Sequence, residues 1–271
     1  MPSRAALTAF RKTVYSFYAR NKRVFPWRTN PTSYRVLVSE IMLQQTQADR
    51  VVPKFNQFIA QFPTIKKLAD ANRRTVLAAW QGLGYNRRAV RLHQAVQAIV
   101  SNYRGRLPKA HEHLQDLPGI GPYTASAIRV FTFNLDEVLI ETNIRSVYID
   151  YFFPRAKKVD DKKILPLIAE TLDRRNPRRW YSALMDYGAH LKQTKKNPSR
   201  RSRSYVLQQP FTNSNRQTRG RIIAALLAGE KLTLNRLIKK VVQPKSRVTR
   251  ALDQLIDEGL IEAHGRHYLI H

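Results

Sequence analysis

The most specific structural motif in this sequence is Leu117-Pro118-Gly119-Ile120-Gly121-Pro122-Tyr123-Thr124. Gly119 and Gly121 permit a tight turn and a close approach of the backbone to a ligand. Pro122 suits the first turn of a following helix, and residues 111–116 form a helical segment before the turn. Free backbone amides at the start of a helix form a ready site for an anion. The stretch therefore predicts a helix–hairpin–helix, an element that holds a DNA phosphate without reading base sequence.

Short amphipathic segments surround this hairpin. Apolar residues recur about every 3.6 positions in residues 37–47, 74–80 and 89–100, and this period predicts helices. Proline and glycine separate the segments, and few stretches alternate with a period of two. We therefore predict a mainly α, helix–hairpin–helix domain over residues 1–209.

Residues 210–271 are predicted to form a second, smaller domain. Its three predicted helices cover residues 218–227, 234–242 and 246–258. A glycine ends the third helix, and a hairpin follows around a turn at residues 264–266. Three helices followed by a β-hairpin are the winged-helix pattern. Arg247 and Arg250 near the start of the third helix are candidate DNA contacts, because helix-turn-helix proteins meet DNA there. A winged helix that docks on another protein is the alternative.

The chain is strongly basic, with 48 Lys and Arg against 19 acidic residues and a formal charge of +29. Such a chain repels itself unless a polyanion offsets the charge. Nucleic acid is the first candidate polyanion and an anionic membrane the second. The membrane is poorly supported, because the sequence has no apolar run of about 18 residues and no signal-peptide pattern. Without an export signal, the cytoplasm is the expected location.

The basic segment 192–204 has little apolar content and is predicted to be a loop or linker. Cations in such segments supply sequence-independent affinity for phosphates. A solvated tail is the alternative. The candidate phosphate contacts are Lys192, Lys195, Lys196, Arg200, Arg201 and Arg203.

Two carboxylates stand in surroundings that favour different protonation states. Glu40 lies in the mostly apolar stretch 38–43, and partial burial there favours the neutral form that a general acid needs. Glu141 precedes Thr142 and Asn143, either of which can cap the next helix, and a helix N-terminus favours the ionised form. Cleavage of a glycosidic bond needs one group of each kind. An exposed helical glutamate and a capping carboxylate are the plain alternatives.

Residues 6–210 closely resemble the MutY adenine DNA glycosylases of the helix–hairpin–helix superfamily. The run 39–47 is highly specific, and several matches occur in the same order along the chain. The matching stretches are residues 26–28, 38–47, 82–85, 117–124 and 185–189. The resemblance implies extrusion of the target base, because its glycosidic bond is inaccessible within a duplex.

The resemblance also implies roles for single residues around the reaction. Glu40 falls on the general acid that protonates the adenine ring, and Glu141 falls on the second catalytic carboxylate. Tyr123 falls on a tyrosine that supports these carboxylates, and Asn143 on an asparagine beside the second one. A Schiff-base lysine of bifunctional relatives would stand at Tyr123, so we expect a monofunctional enzyme.

Other matched positions are implied to contact the base or the DNA. Trp27 and Arg28 fall on pocket residues around the flipped base, and Asp186 falls on an acidic position that helps to recognise adenine. Gln44 and Gln45 fall in the segment that reaches the DNA stack near the lesion.

Two departures affect the site. Glu141 stands where the family has aspartate in an Asp-Gly-Asn context, and displacement of a catalytic group by about 1 Å can cost roughly 100-fold in rate. Tyr85 is followed by Asn86, where the family usually has a second tyrosine that wedges into the stack. An amide stacks less well than a ring, although both positions remain candidate DNA contacts.

Two further departures affect cofactors and specificity. The chain has no cysteine, so the family's iron–sulfur cluster is expected to be absent. The four cysteine positions are held by Lys192, Ser199, Ser202 and approximately Gln208. We expect no metal and no cofactor, although a monovalent cation at the hairpin is compatible with the sequence. The family's NUDIX-like C-terminal domain is replaced by the predicted winged helix, so its preference for 8-oxoguanine is not implied.

The first hypothesis is therefore a monomeric glycosylase that acts on double-stranded DNA with a mispair or lesion. Adenine opposite guanine or 8-oxoguanine is its expected target. The second hypothesis is a glycosylase for mismatched thymine, uracil or a modified base. The third is a catalytically weak DNA-binding protein whose working part is the winged helix. None of the three has a membrane partner.

Overall fold

The computed structural model describes residues 2–207, 210–229 and 231–270. These residues are mainly α-helical, which confirms the predicted fold class. The helices before residue 195 are α1 (Arg4–Asn21), α2 (Pro26–Thr29), α3 (Ser33–Leu43), α4 (Ala48–Gln61), α5 (Ile65–Ala69), α6 (Arg73–Ala79), α7 (Arg87–Tyr103), α8 (His111–Gln115), α9 (Pro122–Phe133), α10 (Thr142–Phe152), α11 (Asp161–Thr171) and α12 (Pro177–Thr194). A 3-10 helix (Pro198–Arg201) follows. Within the described ranges, every helix is too short or too polar to span a lipid bilayer.

The C-terminal elements are α13 (Asn215–Ala228), β1 (Leu232–Thr233), α14 (Leu234–Val241), α15 (Lys245–Asp257), β2 (Glu262–His264) and β3 (His267–Leu269). The strands form one antiparallel sheet in the order β1-β3-β2. Gly265 takes the positive φ of 57° that the turn between β2 and β3 requires. The three predicted helices and the hairpin are confirmed. β1 escapes prediction, since a strand of two residues shows no periodicity.

Residues 2–36 and 121–207 form one compact unit. Its core lies where α12 packs on α10 and α1. Phe10 contacts Tyr148 and Trp180 there, with ring centroids 5.0 and 5.9 Å apart, and all three side chains are fully buried. Asn176 caps α12 by accepting from the backbone N of Arg179. The cap and the aromatic core fix α12 along α10, and both helices carry candidate site residues.

Residues 37–120 and the described residues after 209 form the other unit. Phe55, Phe58 and Trp80 are fully buried in the part built by α4, α6 and α7. Asn72 caps α6 by accepting from the backbone N of Thr75 at 2.7 Å. The C-terminal helices pack in this same unit. The predicted boundary at 209/210 adjoins residues outside the described ranges and stays a prediction.

Candidate active site and nucleic-acid interface

The Glu141 carboxylate is fixed at the N-terminus of α10. Its Oε1 accepts from the backbone N of Asn143 at 2.8 Å and of Ile144 at 3.0 Å, and its Oε2 accepts from Asn143 Nδ2 at 3.2 Å. Glu141 is therefore itself the N-cap, and the expectation that Thr142 or Asn143 caps this helix is wrong. The longer side chain of glutamate reaches back over the first turn, where the helix dipole favours a negative charge.

The site around Asn143 is completed by a close crossing of α10 and α12. A Cβ at Gly188 of α12 would lie only 2.1 Å from the carbonyl oxygen of Asn143. A side chain is thus excluded at Gly188, whose role the sequence analysis missed. A glycine in mid-helix, inside a stretch that matches the family, is the signal that could have found it. Among the described polar atoms, the buried Asn143 Oδ1 has no hydrogen-bond partner.

Lys192 lies in the last turn of α12 and is half-buried. Its predicted place in a loop is therefore wrong. Burial lowers the pKa of the Lys192 ammonium, while the Glu141 carboxylate raises it and Arg23 lowers it. Lys192 is thus close enough to Glu141 for their charges to interact. In its charged form it adds to the stabilisation of the carboxylate by the helix terminus.

The residues predicted to surround the base are brought together in the same unit. Trp27 is buried and stacks on Phe25, with ring centroids 4.9 Å apart and an interplanar angle of 7°. The Arg28 guanidinium lies 4.9 Å from the centre of the Phe25 ring. Asp186 is only 1% exposed and accepts from Arg28 Nη1 at 3.0 Å and from Arg23 Nε at 2.8 Å. The carboxylate of Asp186 thus orients two arginines, and a direct contact with a base stays a prediction.

Glu40 and Tyr123 lie in different compact units. Glu40 is half-buried on α3, and its neighbours Val38 and Ile41 are almost fully buried. This confirms the partial burial that the apolar stretch predicts. Tyr123 is the second residue of α9, and 38% of its surface is exposed.

Arg88 organises the DNA-contact candidates of the second unit. The helix predicted over residues 37–47 ends at Leu43, so Gln44 and Gln45 lie in the turn beyond it. Arg88 Nη1 donates to the carbonyls of Met42 at 2.8 Å and of Gln44, and Arg88 Nη2 donates to the carbonyl of Gly84 at 3.2 Å. Burial lowers the pKa of Arg88 to about 10, so the guanidinium remains a cation at neutral pH. One side chain thereby holds the two loops together.

Tyr85 and Asn86 occupy the second of these loops. Tyr85 is half-exposed with a positive φ of 48°, whereas Asn86 is 8% exposed. The position at which the resemblance implies a wedge is therefore mostly covered by protein. Tyr85 presents the larger aromatic surface to solvent.

The two hairpin glycines differ in their surroundings. Gly119 has a φ of 81°, and a Cβ there would lie 2.7 Å from Arg91 Cβ, so both backbone and space require glycine. Gly121 is the N-cap of α9, with Pro122 in the first turn as predicted. A Cβ at Gly121 would have no neighbour within 4 Å. Space around the backbone is therefore retained at Gly121, as binding of an anion at the helix N-terminus requires.

Beyond Lys192, three of the candidate phosphate contacts have partners within the protein, so this part of the segment is a packed loop and not a free linker. Arg201 Nη1 donates to the carbonyls of Phe153 at 2.7 Å and Pro154 at 2.9 Å, beyond the end of α10. Lys195 pairs with Asp150 at 2.7 Å, and Arg203 with Asp160 at 3.5 Å. Unsatisfied carbonyls after a helix attract such cations. Lys196 and Arg200 are exposed.

The positions of the family's cluster cysteines do not suit a metal cluster. Ser199 and Ser202 are each 1% exposed, and a short parallel bridge joins Val159 to Ser202. Hydroxyls and the Lys192 amine cannot replace the thiolates that hold iron–sulfur clusters. In the described ranges, no three His, Asp or Glu side chains are grouped to hold a metal ion. Gln208 lies outside the described residues.

The two arginines predicted to meet DNA on α15 differ in their contacts. Arg247 Nη1 donates to the carbonyl of Asn213 at 3.0 Å and to Gln243 Oε1 at 2.9 Å, so this side chain is held within the C-terminal domain. Arg250 is exposed.

Known proteins place the chain in a family. A family model described as a HhH-GPD superfamily base excision DNA repair protein matches residues 38–200. The adenine DNA glycosylase of Mycolicibacterium smegmatis is 33% identical over 275 residues, covering 94% of each protein. The adenine DNA glycosylase of Buchnera aphidicola is 35% identical over 187 residues and 67% of this chain, which spans only about half (53%) of that relative. A solved structure of a thermostable thymine-DNA glycosylase has the same fold, with a TM-score of 0.60 at 24% identity over 68% of this chain and 87% of that one.

Proposed function

We propose, from the premise that the chain belongs to the HhH-GPD superfamily of base excision DNA repair proteins, that it is a monofunctional DNA glycosylase. Its substrate is an extruded base in double-stranded DNA with a mispair or lesion. The observation that carries the proposal is the Glu141 carboxylate, which three hydrogen bonds hold at the N-terminus of α10. A carboxylate held in this way is pre-organised to stabilise a developing positive charge.

The reaction divides between two carboxyl groups. Glu40, half-buried on α3, donates a proton to the leaving base, which departs with the electrons of the glycosidic bond. Glu141 stabilises the oxocarbenium-like sugar that remains. Water then adds to C1′ and loses a proton, which leaves an abasic site. The phenol of Tyr123 cannot form a Schiff base, so no strand cleavage accompanies excision.

Adenine opposite guanine or 8-oxoguanine is the proposed target. The relatives from Mycolicibacterium and Buchnera are both named adenine DNA glycosylases, and the first matches almost the full chain. The stacked and largely buried rings of Trp27 and Phe25 form an aromatic wall, and the Arg28 guanidinium lies over the Phe25 ring in the same unit. Aromatic stacking and a few placed donors are the usual means of reading a flipped base.

The proposal is tested with duplexes that each carry one mispair or lesion, incubated with excess protein and then treated with alkali. Breaks at adenine opposite guanine or 8-oxoguanine are expected only after alkali. Breaks at thymine or uracil alone would assign another target base, and no breaks in any duplex would refute a glycosylase. Breaks before alkali would refute a monofunctional enzyme.

The roles of the carboxylates are tested with isosteric variants in single-turnover experiments. Glu40→Gln cannot protonate the base, and Glu141→Gln lacks the negative charge. We expect each variant to lose at least about 100-fold in rate, within the range of acid–base catalysis. Both variants should still bind DNA that carries an abasic analogue. Wild-type excision by Glu141→Gln would remove Glu141 from the mechanism.

The proposed enzyme works as a monomer without an iron–sulfur cluster. The absence of cysteine and the burial of Ser199 and Ser202 support a cluster-free segment. Iron analysis of the pure protein should find no stoichiometric iron, and light scattering should give the mass of one chain. Iron-dependent absorbance of the pure protein would contradict the proposal that it lacks an iron–sulfur cluster.

A further inference from the structure

A cavity of about 510 Å³ lies within the unit formed by residues 37–120 and the C-terminal helices. The turn after α3, the loop before α7, the hairpin and the first helix of the C-terminal domain all line it. The lining residues that carry the argument are Gln44, Tyr85, Arg87, Arg91, Arg216 and Arg219. The volume falls in the range of about 300–1,000 Å³ that is typical of small-molecule sites. One wall is supplied by α13, which lies outside the stretches that resemble the glycosylase family.

The docking of α13 in this unit is fixed by two arginines of α6. Arg74 Nη2 donates to the carbonyls of Leu227 at 2.8 Å and Gly229 at 3.2 Å, at the end of α13. Arg73 Nη1 donates to the carbonyl of Gly259 at 2.9 Å, just after α15. Cations at helix C-terminal ends are stabilising. The C-terminal helices are thus held against α6, and α13 is a stable wall of the cavity.

Tyr85 lines the cavity and is contacted by two arginines. The guanidinium carbons of Arg88 and Arg216 each lie 5.4 Å from the centre of the Tyr85 ring. Arg216 Nη1 also donates to Tyr85 Oη at 2.7 Å. Arg216 on α13 therefore contacts the same ring as Arg88, which organises the loops near the candidate DNA contacts. Arg216 thus links the C-terminal domain to the loop that carries Tyr85.

The chemistry of the lining suits an anion that carries a planar ring. Glu258 is the acidic residue among the lining side chains, and it pairs with Arg219 through both carboxylate oxygens. The positive charges of Arg87 and Arg91 are close enough to lower the pKa of Glu258 further. The Tyr85 ring and the side chain of Ile223 supply apolar surface. Arginine for phosphate and an aromatic face for a base together are the recognition chemistry of a nucleotide.

We propose that Arg216 of α13 is a specificity-determining contact in this cavity, for a nucleotide of the bound DNA other than the one that loses its base. The inference rests on the proposed function, since it requires a duplex that is opened at one nucleotide. Glu40, the proposed acid, is not among the described residues that line the cavity. Extrusion of one base leaves its partner unpaired, and a nucleotide-sized cavity with arginine and amide donors fits such a partner. The C-terminal domain thereby reads DNA through α13, in contrast to the predicted contacts on α15.

The experiment measures binding to duplexes that carry a non-cleavable abasic analogue, so that affinity does not depend on excision. Fluorescence anisotropy gives the Kd of the full-length wild type and of Arg216→Gln with guanine, cytosine, thymine or adenine opposite the analogue. Arg236→Gln is the matched control, because it removes the same charge at a residue that is exposed on α14 and does not line the cavity. Arg250→Gln tests the competing contact on α15. Thermal denaturation confirms that each variant is folded.

We expect Arg216→Gln to raise the Kd about tenfold or more, as the loss of one good base or phosphate contact implies, and Arg236→Gln to raise it by about twofold at most. Arg216→Lys, which keeps the charge, should recover part of the loss. A loss that varies with the opposite base assigns the unpaired partner to the cavity, and a uniform loss assigns a flanking nucleotide. Equal Kd values for Arg216→Gln and Arg236→Gln, or a larger effect of Arg250→Gln, would overturn the proposal. An absence of excision in the alkali assay, with this binding pattern intact, would refute the proposed enzyme alone.

Discussion

Substitution of Gly188 by alanine tests whether the crossing of α10 and α12 positions Glu141. A Cβ at Gly188 would lie 2.1 Å from the Asn143 carbonyl oxygen and 2.6 Å from its carbonyl carbon. Favourable contacts between carbon atoms lie at about 3.5–4.0 Å, so the two helices must separate by roughly 1 Å or more. The displaced backbone belongs to Asn143, whose N–H holds the Glu141 carboxylate.

The structure sets two magnitudes for this variant. Overpacking of a buried contact costs about 1–3 kcal/mol of unfolding free energy. For a domain of this size, each kcal/mol lowers Tm by about 2–4 °C. A shift of about 1 Å in a catalytic group costs roughly 100-fold in rate. We therefore expect Gly188→Ala to fold with a lowered Tm and to lose excision far beyond its loss of folded protein.

The assay combines thermal denaturation with single-turnover excision of adenine at a temperature at which the variant is folded. Gly220→Ala is the control for stability, because Gly220 is also helical but a Cβ there meets nothing within 4 Å. Alanine at such a position should raise stability by about 0.5–1 kcal/mol. Wild-type excision by folded Gly188→Ala would show that this crossing does not position Glu141.

Substitution of three other side chains, Arg74, Arg201 and Lys192, should alter stability or the pH dependence of excision. Arg74→Met strands the carbonyls of Leu227 and Gly229, so urea denaturation should show a loss of about 1–3 kcal/mol in unfolding free energy. Lys66→Met, at an exposed position, is the control and should change the unfolding free energy little. Equal stabilities of the two variants would contradict the role of Arg74 in docking α13. Arg201→Met should lower the unfolding free energy by a similar amount, because it strands the carbonyls of Phe153 and Pro154. Arg200→Met, at an exposed position, should mainly weaken DNA binding at low salt. The reverse result would show that this segment is a solvated linker. Burial lowers the pKa of Lys192, so its charge beside Glu141 is present below that pKa and is lost as pH rises through it. Excision should therefore fall at a lower pH than the titration of an ordinary lysine would give, and Lys192→Gln should abolish that pH dependence; an unchanged profile would exclude Lys192 from the site.

The burial of Lys192 also determines whether the unfolding free energy rises or falls with pH. Between the lowered pKa of folded Lys192 and its ordinary value, the unfolded chain binds more protons than the folded one. Unfolding free energy therefore rises with pH in that window, and the burial of Lys192 is least costly at its alkaline end. A lysine that was merely exposed would give no such rise.

Local chemistry made much of the fold predictable. The glycines and proline of residues 117–122 specify a turn before a helix, and the periodic segments specify most helices to within a few residues. The ends of the helices were predicted less accurately than their positions. The helix predicted over 37–47 ends at Leu43, because Arg88 binds the carbonyls of its last turn and holds Gln44 beyond it. That arginine is distant in sequence, so no local pattern marks it.

The candidate site was predictable in residue identity and less so in geometry. The ordered motifs placed Glu141 and Asn143 beside a helix start. The structure made Glu141 itself the cap, because the longer side chain reaches two backbone amides of the first turn. Likewise, the resemblance marked Asp186 as a position that helps to recognise adenine, and the structure adds that its oxygens hold Arg23 and Arg28.

The mainly α fold, the hairpin, the winged-helix pattern and the family resemblance could all be predicted from the sequence, because turns, caps and periodicity act between near neighbours along the chain. The folded protein alone shows that Gly188 must lack a side chain, that Lys192 and Glu141 interact electrostatically, and that Arg216 donates to Tyr85. The physical reason is the same in each case. These contacts join residues far apart in sequence, and several of them end on backbone carbonyls or bare backbone, which every residue presents alike.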